Sequence, residues 1–532
     1  MAACRRPYAD RMDVNEFETR AHALVTDATL GYDQKVRRLA ALATEMLPYP
    51  VLSEECAAAL HERVICDMYE GNAPFTARYI LPDYEKAVRQ GLAYLEMPAP
   101  TNLHDALAFL QVMYSQVPSV TPYPVYLGDL DKVLASFVDD AGVDGSITDA
   151  ELDAALRRFW IGIDRMLPDA FVHLDLGPHD SRITRSILRV ERSLRQAVPN
   201  ITLKVDPLVT PDDLIEDAVL TVFQTGKPHF VNHPMMVADH GEQYAAVSCY
   251  NSLKIGGGAH TLVRMNLKEV TLRHAGGVDE FLAATLPHYV ELTAELAEAR
   301  IRSLVEQQHF FESHWLAAEG LIDIDKFSAM FGIFGLAECV NLLMAREGRS
   351  GARYGHDADA DALSRRIVAR VAELVAQPPM PYCEGGNGYC YLHSQSGIDL
   401  DNEVTAGTRI PVGDEPAMWE HIATCAPHHR HFASGVSDIF YVDETATRNP
   451  QAVVDIIRGA FTSGMRDFTF NLDGNEFVRI TGYLVRKSDL VKIADGDGAR
   501  HSSDYLAAGS ENAYHLTERA VKRIGCHERT PR

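Results

Sequence analysis

Three stretches of the chain carry apolar side chains at three- and four-residue intervals or unbroken runs of helix formers. Residues 150–166 (AELDAALRRFWIGIDRM) show the helical spacing. Residues 284–309 contain few breakers and many good helix formers. A third helix is predicted over 363–376, stopped by Pro378-Pro379. The first third of the chain reads as mainly helical. Other segments switch to a period of two. In 199–207 (PNITLKVDP) Ile201, Leu203 and Val205 alternate with polar residues, and 228–238 and 466–472 read as similar strands. Strands alternating with helices over such a length predict an α/β architecture. No internal repeat or low-complexity linker interrupts it, so a single continuous unit is expected. From Asp495 the chain turns polar and less regular, with one helix predicted near 511–523.

With 532 residues, 46% hydrophobic and 23% charged, the chain can bury a large core without staples. Its net charge of −24 disfavours nucleic acid and anionic membranes as partners. No run of about eighteen uncharged apolar residues is present, which predicts no membrane span. The N-terminus, MAACRRPYADRMDVNEFETR, has no apolar stretch of signal-peptide type, so a cytoplasmic location is expected. Nine cysteines without framework spacing fit free thiols in a reducing compartment.

Two motifs carry candidate chemistry. Residues 477–486, FVRITGYLVR, read as a strand or a strand with a tight loop, and Gly482 is out of place there. A strand glycine ordinarily marks a bulge or a close backbone approach. Glycine also has a chemical use: losing an α-hydrogen leaves a radical that spreads into the flanking amides, best when the centre lies flat without a β-carbon. The second motif is VSCYNSLKIGGG at 247–258, in which Cys249 precedes a triple glycine. The glycines lack the following Lys-Ser/Thr of a phosphate-binding P-loop and the G-x-G-x-x-G spacing.

Arg479-Ile480-Thr481-Gly482-Tyr483 resembles the C-terminal fingerprint of glycyl radical enzymes, and Cys249, roughly mid-chain, resembles their thiyl cysteine. PNITLK (199–204), TGKPHFVN (225–232) and the Cys249 loop are similar to the family's pocket segments in the same order, and FGIFGLAECVN (331–341) is similar to a segment of anaerobic ribonucleotide reductases. The resemblance covers roughly 195–490 and is closest to the YjjI-like family. It implies a ten-stranded α/β barrel of two antiparallel five-stranded halves wrapped by helices. It also implies a radical stored on Gly482 that passes to Cys249, within a motif framed by Arg479 and Tyr483. The radical-bearing part is 466–532, and 1–465 holds the helical part and the barrel. A radical-SAM activating enzyme with an iron–sulfur cluster and S-adenosylmethionine is the implied partner, and a homodimer is the family habit. No metal is expected in the enzyme itself.

Departures from the family patterns narrow the reaction. Dehydratases of the family resemble Gly-Cys-x-Glu, with the glutamate as base, and here Asn251 holds that position and takes no proton. Cys249 is followed by Tyr250, so the paired cysteines of pyruvate formate-lyase are absent. Cys383 and Cys390 make only a C-x6-C pair, unlike the zinc quartet of the reductases. What remains is hydrogen abstraction from a small organic substrate in anaerobic metabolism. Coenzyme A-dependent acyl transfer and aldehyde or 2-oxo acid conversion stand as alternatives. Candidate substrate or acid–base groups are Asn232, His233, Asn251, Glu384 and His393. Readings from other classes are a catalytically silent radical-storing relative, or a thiolate enzyme recruiting His240 or His260. His428, His429 and His431 are expected in a solvated loop, and 139–149 in a surface turn.

Overall fold

The computed structural model describes residues 13–505 apart from 45, 68–75, 119–123, 139–146, 168–170, 248–249, 395–403, 437, 481–482 and 502–503. The helix predicted near 511–523 and most of the 139–149 turn lie outside them.

Among the described residues the strands are β1 (Ile65–Asp67), β2 (Tyr79–Leu81), β3 (Tyr126–Asp129), β4 (His173–Leu176), β5 (Asn200–Val205), β6 (His229–Asn232), β7 (Tyr244–Val247), β8 (Asn251–Lys254), β9 (Gly257–Asn266), β10 (Phe327–Phe334), β11 (Cys390–Ser394), β12 (Asp438–Val442), β13 (Asp467–Leu472), β14 (Phe477–Ile480) and β15 (Tyr483–Arg486). Two mixed sheets dominate. One runs β12-β13-β6-β5-β4-β3, with every pair parallel except β13 with β6. The other runs β1-β9-β10-β11, with β2 pairing the first residues of β9. The sheets thus hold six and five strands where five and five were expected, and among the described residues no strand pair joins them. β7/β8 and β14/β15 are separate two-stranded hairpins.

Helices form where the periodicity predicts them, with caps setting their ends. Asp149–Met166 opens on a capping box: Thr148 accepts from the Glu151 amide while the Glu151 carboxylate accepts from the Thr148 amide. Leu152, Leu156, Phe159 and Ile163 form its buried stripe. The third predicted helix spans Ala358–Val375 because Asp357 caps two amides ahead of the first periodic residue. Leu286–Arg302 lies inside 284–309, flanked by π-helical turns. Residues 228–238 are only half strand: β6 ends at Asn232, and the helix His233–His240 begins with Pro234 in its first turn, where a missing N–H costs nothing.

The six-stranded sheet is buried on both faces, and the faces differ. Leu174, Leu176, Ile201, Leu203, Phe230, Phe468 and Phe470 belong to the main hydrophobic core. The opposite face presents His173, Asp175, Asn200, Thr202, Lys204 and His229, in register across β4, β5 and β6. All six are fully buried. Buried polar groups require partners. Here many of those partners belong to the two hairpins.

Candidate active site

The β7/β8 hairpin is antiparallel with Val247 opposite Asn251, so residues 248–250 form its connection. Ser248 and Cys249 lie outside the described residues; Tyr250 is described and fully buried. The polar sheet face holds β7 by its main chain. Asp175 Oδ2 accepts the Ala246 amide at 2.9 Å, and Thr202 Oγ1 donates to the Ala246 carbonyl at 3.3 Å. Lys204 Nζ donates to the Tyr244 carbonyl at 2.8 Å, lies 4.3 Å from the Tyr244 ring centroid, and pairs with Asp129 at 2.7 Å. Burial pushes the Asp175 carboxyl up to about 7, while the nearby Lys204 ammonium works against that rise. From the other side, Ser252 donates its amide to the Ser434 carbonyl at 3.1 Å.

Tyr250 has φ +66°, a left-handed conformation that a bulky residue adopts only where its surroundings enforce it. Its carbonyl lies so near Gly435 that a β-carbon there would stand 1.7 Å from the oxygen. Its ring meets the His229 ring edge-on, with centroids 4.5 Å apart. His229 Nε2 lies 3.0 Å from Thr202 Oγ1, and His229 Nδ1 lies 3.3 Å from His173 Nε2. One tautomer set satisfies every link: His173 donates to His229, His229 to Thr202, and Thr202 to the Ala246 carbonyl. Burial, reinforced by the Arg479 charge, holds both imidazoles neutral, well below the usual histidine range.

The second hairpin pairs Arg479 with Leu484 and Ile480 with Tyr483, leaving a two-residue connection, 481–482. Thr481 and Gly482 lie outside the described residues. Asn471 on β13 fastens this hairpin by main-chain mimicry: its Oδ1 accepts the Arg479 amide and its Nδ2 donates to the Arg479 carbonyl, both at 2.9 Å. The Arg479 side chain, fully buried, crosses beneath the polar sheet face. Nη2 donates to Asn200 Oδ1 at 3.1 Å and to the Gly226 carbonyl at 3.3 Å. The guanidinium carbon lies 5.7 Å from the Tyr250 ring centroid, within cation–π range. The two motif segments, more than two hundred residues apart in sequence, therefore touch through Arg479 and Tyr250.

The other predicted residues divide. Asn251 is buried beside Tyr250, with its Oδ1 unpartnered. His393 is buried on β11, its Nδ1 bonded to the Ser434 carbonyl at 2.9 Å, and burial holds it at about 4. Asn232 and His233 sit where β6 meets its helix. Asn232 donates to the Met465 carbonyl, a structural bond, and His233 Nδ1 lies 3.0 Å from the Tyr244 hydroxyl. Glu384 is exposed on a 3-10 turn beside the buried Gly385 and Gly386, so it is not among the buried polar groups described above. Tyr483 is a strand residue directly opposite Ile480. His240 and His260 each donate Nε2–H to a carbonyl, of Ala433 and Tyr382 respectively. His428 and His429 are not in a solvated loop. They end the helix Met418–His429 fully buried, because that helix packs its histidine side inward. Sequence reasoning misses His173, Thr202, Lys204 and His229 as individual residues, although it marks 199–204 and 225–232. Their signal is a polar residue at every second position of a strand otherwise built for a core.

Two mixed sheets, with the β7/β8 and β14/β15 hairpins in contact through Tyr250 and Arg479, make up a fold shared with solved glycyl radical enzymes. The anaerobic ribonucleotide reductase of Thermotoga maritima in complex with dATP and CTP superposes with a TM-score of 0.68 at 12% identity, covering 90% of this chain and 93% of that one. The family model for "Glycyl radical enzyme YjjI-like" matches residues 30–522. The YjjI protein of Escherichia coli (strain K12) is 45% identical over 520 residues, 97% of this chain and 98% of its own. A protein of Haemophilus influenzae is 35% identical over 500 residues, 93% and 95% of the two chains. The chain belongs to the YjjI-like glycyl radical enzyme family. Among the described residues, no helix is long and apolar enough to cross a membrane.

Proposed function

We propose that Gly482 stores the radical and that Cys249 is the working thiol. In the first step the Cys249 S–H hydrogen passes to the Gly482 α-carbon, leaving a thiyl radical. In the second the thiyl takes a hydrogen atom from a substrate C–H, restoring the thiol and leaving a substrate radical. One observation carries this reading: the contact of Arg479 with the Tyr250 ring. Tyr250 directly follows Cys249, and Gly482 lies three residues beyond Arg479, so at about 3.8 Å per residue both reacting groups are tethered to one locus.

The surroundings favour a small oxygen-bearing substrate. The interior offers neutral donors and acceptors, among them the His173–His229–Thr202 chain, and no described carboxylate stands two residues after Cys249. Asn251 cannot serve as the base of a Gly-Cys-x-Glu dehydratase. Its free Oδ1 is suited to orienting a substrate hydroxyl. The C-terminal part, 466–532, would carry the radical, and a radical-SAM activating partner would install it after the β14/β15 hairpin swings out. β13 would stay in its sheet during that movement. Phe477 and Leu484 pack with Ala197 in a small cluster, while Val478 and Val485 join the main core, so opening would part the hairpin from both.

Anaerobic activation followed by electron paramagnetic resonance tests the assignment. A glycyl doublet is expected in the wild type and in Cys249→Ala, and none in Gly482→Ala. Substrate consumption, screened over small alcohols, aldehydes and 2-oxo acids with and without coenzyme A, is expected only in the wild type. A doublet that persists in Gly482→Ala, or turnover in Cys249→Ala, would remove the reading.

A further inference from the structure

On the far side of β12 from the sheet's polar face, the helix Met418–His429 brings His421 and Cys425, four residues apart on one helical face, against Asp438 at the start of β12. One ligand-capable atom from each lies within 4.8 Å of the others, and all three residues are buried. One of the groups has bonding capacity to spare: His421 is 5% exposed and its Nε2 has no partner, while the fully buried Asp438 carboxylate has the Cys425 thiol beside it in addition to His429. Buried polar atoms are rarely left so, and each such group requires an explanation.

The remaining bonds are committed in a way that leaves this pocket available. His429 Nδ1 accepts the Arg466 amide at 2.9 Å, which fixes the proton on Nε2, and that N–H donates to Asp438 Oδ2 at 2.8 Å. That bond engages Oδ2 and leaves Oδ1 as the oxygen available to a ligand. The Tyr354 hydroxyl donates to the Thr408 carbonyl at 2.7 Å and lies 3.9 Å from Cys425 Sγ, so the phenol proton is used elsewhere. Phe440 packs edge-on against the His421 ring at 4.8 Å and closes one side.

We infer that His421, Cys425 and Asp438 form a binding site for a divalent cation of zinc type. A mixed thiolate, imidazole and carboxylate set matches a borderline ion better than a hard one such as magnesium or calcium. Binding displaces the thiol proton to solvent, after which the thiolate and carboxylate charges balance the ion. Three protein donors leave one position of a tetrahedral ion for water. The proposal departs from the metal-free enzyme expected from the sequence, and the histidines singled out there, 428 and 429, are not its ligands. It does not depend on the radical chemistry. Its place gives it a structural role, because it joins the helix to β12 on either side of the 433–436 segment, which takes the Ser252 amide and faces the Tyr250 carbonyl.

The full-length protein, purified anaerobically, incubated with Zn²⁺ and desalted, is expected to retain about one equivalent per chain by elemental analysis. Cys425→Ser and His421→Gln are expected to retain at least tenfold less. Co²⁺ in place of zinc should give a sulfur-to-metal charge-transfer band that Cys425→Ser lacks. Should a variant fold poorly, the wild type alone decides: a strong chelator should lower its melting temperature and Zn²⁺ should restore it. Wild type that holds under a tenth of an equivalent while folded overturns the inference. So do variants that keep as much zinc as the wild type, which would place the ion elsewhere, for example at Asp489, His501 and Asp504.

Discussion

Replacing Gly435 by alanine tests how the cysteine hairpin is held without needing a known substrate. Gly435 has φ +103°, and an added β-carbon would lie 1.7 Å from the Tyr250 oxygen and 2.9 Å from its carbonyl carbon. Both contacts are with backbone, so no flexible side chain can give way. A side chain in that conformation costs about 1–2 kcal/mol, and overpacking a tight interior costs about 1–3 kcal/mol. The overlap is relieved only if the two backbones part by more than about 1 Å, since carbon and oxygen atoms prefer about 3.5 Å. The combined cost, about 2–5 kcal/mol, corresponds to about 1 °C in melting temperature per kcal/mol for a chain of this length. The fold should survive and the hairpin should not stay in place. Ser252 then loses its bond to the Ser434 carbonyl, and its amide should exchange at least tenfold faster by hydrogen-exchange mass spectrometry. The glycyl doublet should still form, whereas turnover on any substrate found should fall about a hundredfold, as expected for a misplaced reacting group. Wild-type exchange at 250–254 together with an unchanged melting temperature would refute the reasoning.

Further tests follow from the same geometry. Arg479→Lys keeps the charge but loses the bonds to Asn200 and Gly226, and should destabilise the β14/β15 hairpin by about 2–3 kcal/mol, read as faster exchange over 477–486. Arg479→Met removes the charge as well and should raise the titration points of His173 and His229, followed by NMR; burial will still keep them below ordinary histidines. Asn471→Ala strips both main-chain bonds from Arg479 and should raise proteolytic cutting in β14/β15 several-fold while the rest of the chain stays resistant. The end of the described chain should show a pH dependence. His501 is raised because its bonds to Asp164 and Asp504 outweigh burial, so its contribution is present below about 6.5 and is lost as pH rises through its folded value. Burial raises Asp504, so rising pH loosens the contact there as well. Asp164, held at about 2 by His501 and Arg500 against burial, gives way only in acid. Limited proteolysis near 495–505 should therefore be faster at about pH 8 than at about pH 6.

The sequence disclosed the strands and helices that follow a single rule and concealed those that obey two. Ile201, Leu203 and Val205 announce a strand, and the structure has one at Asn200–Val205. The intervening Asn200, Thr202 and Lys204 have the spacing of a solvated face and are fully buried, because their partners arrive from hairpins forty to nearly three hundred residues away. No local pattern contains that information. Arg479 was legible as part of a motif, yet its contact with Tyr250 was not, since cation–π geometry depends on how two remote hairpins cross. Glu384 lies at the surface for the opposite reason: the neighbouring glycines fit tightly against Lys326, Phe327 and Ser328 and the acid is left exposed. His428, His429 and His431 read as a loop, but the first two occupy the buried side of the last turn of a helix that also holds Pro427.

The seat for β7 has an implication for how such catalysts diversify. Asp175, Thr202 and Lys204 grip the amide of Ala246 and the carbonyls of Ala246 and Tyr244, groups that every amino acid possesses. What is recognised is the peptide chain rather than its decoration. Side chains further along that finger can therefore be exchanged without rebuilding the floor that carries it.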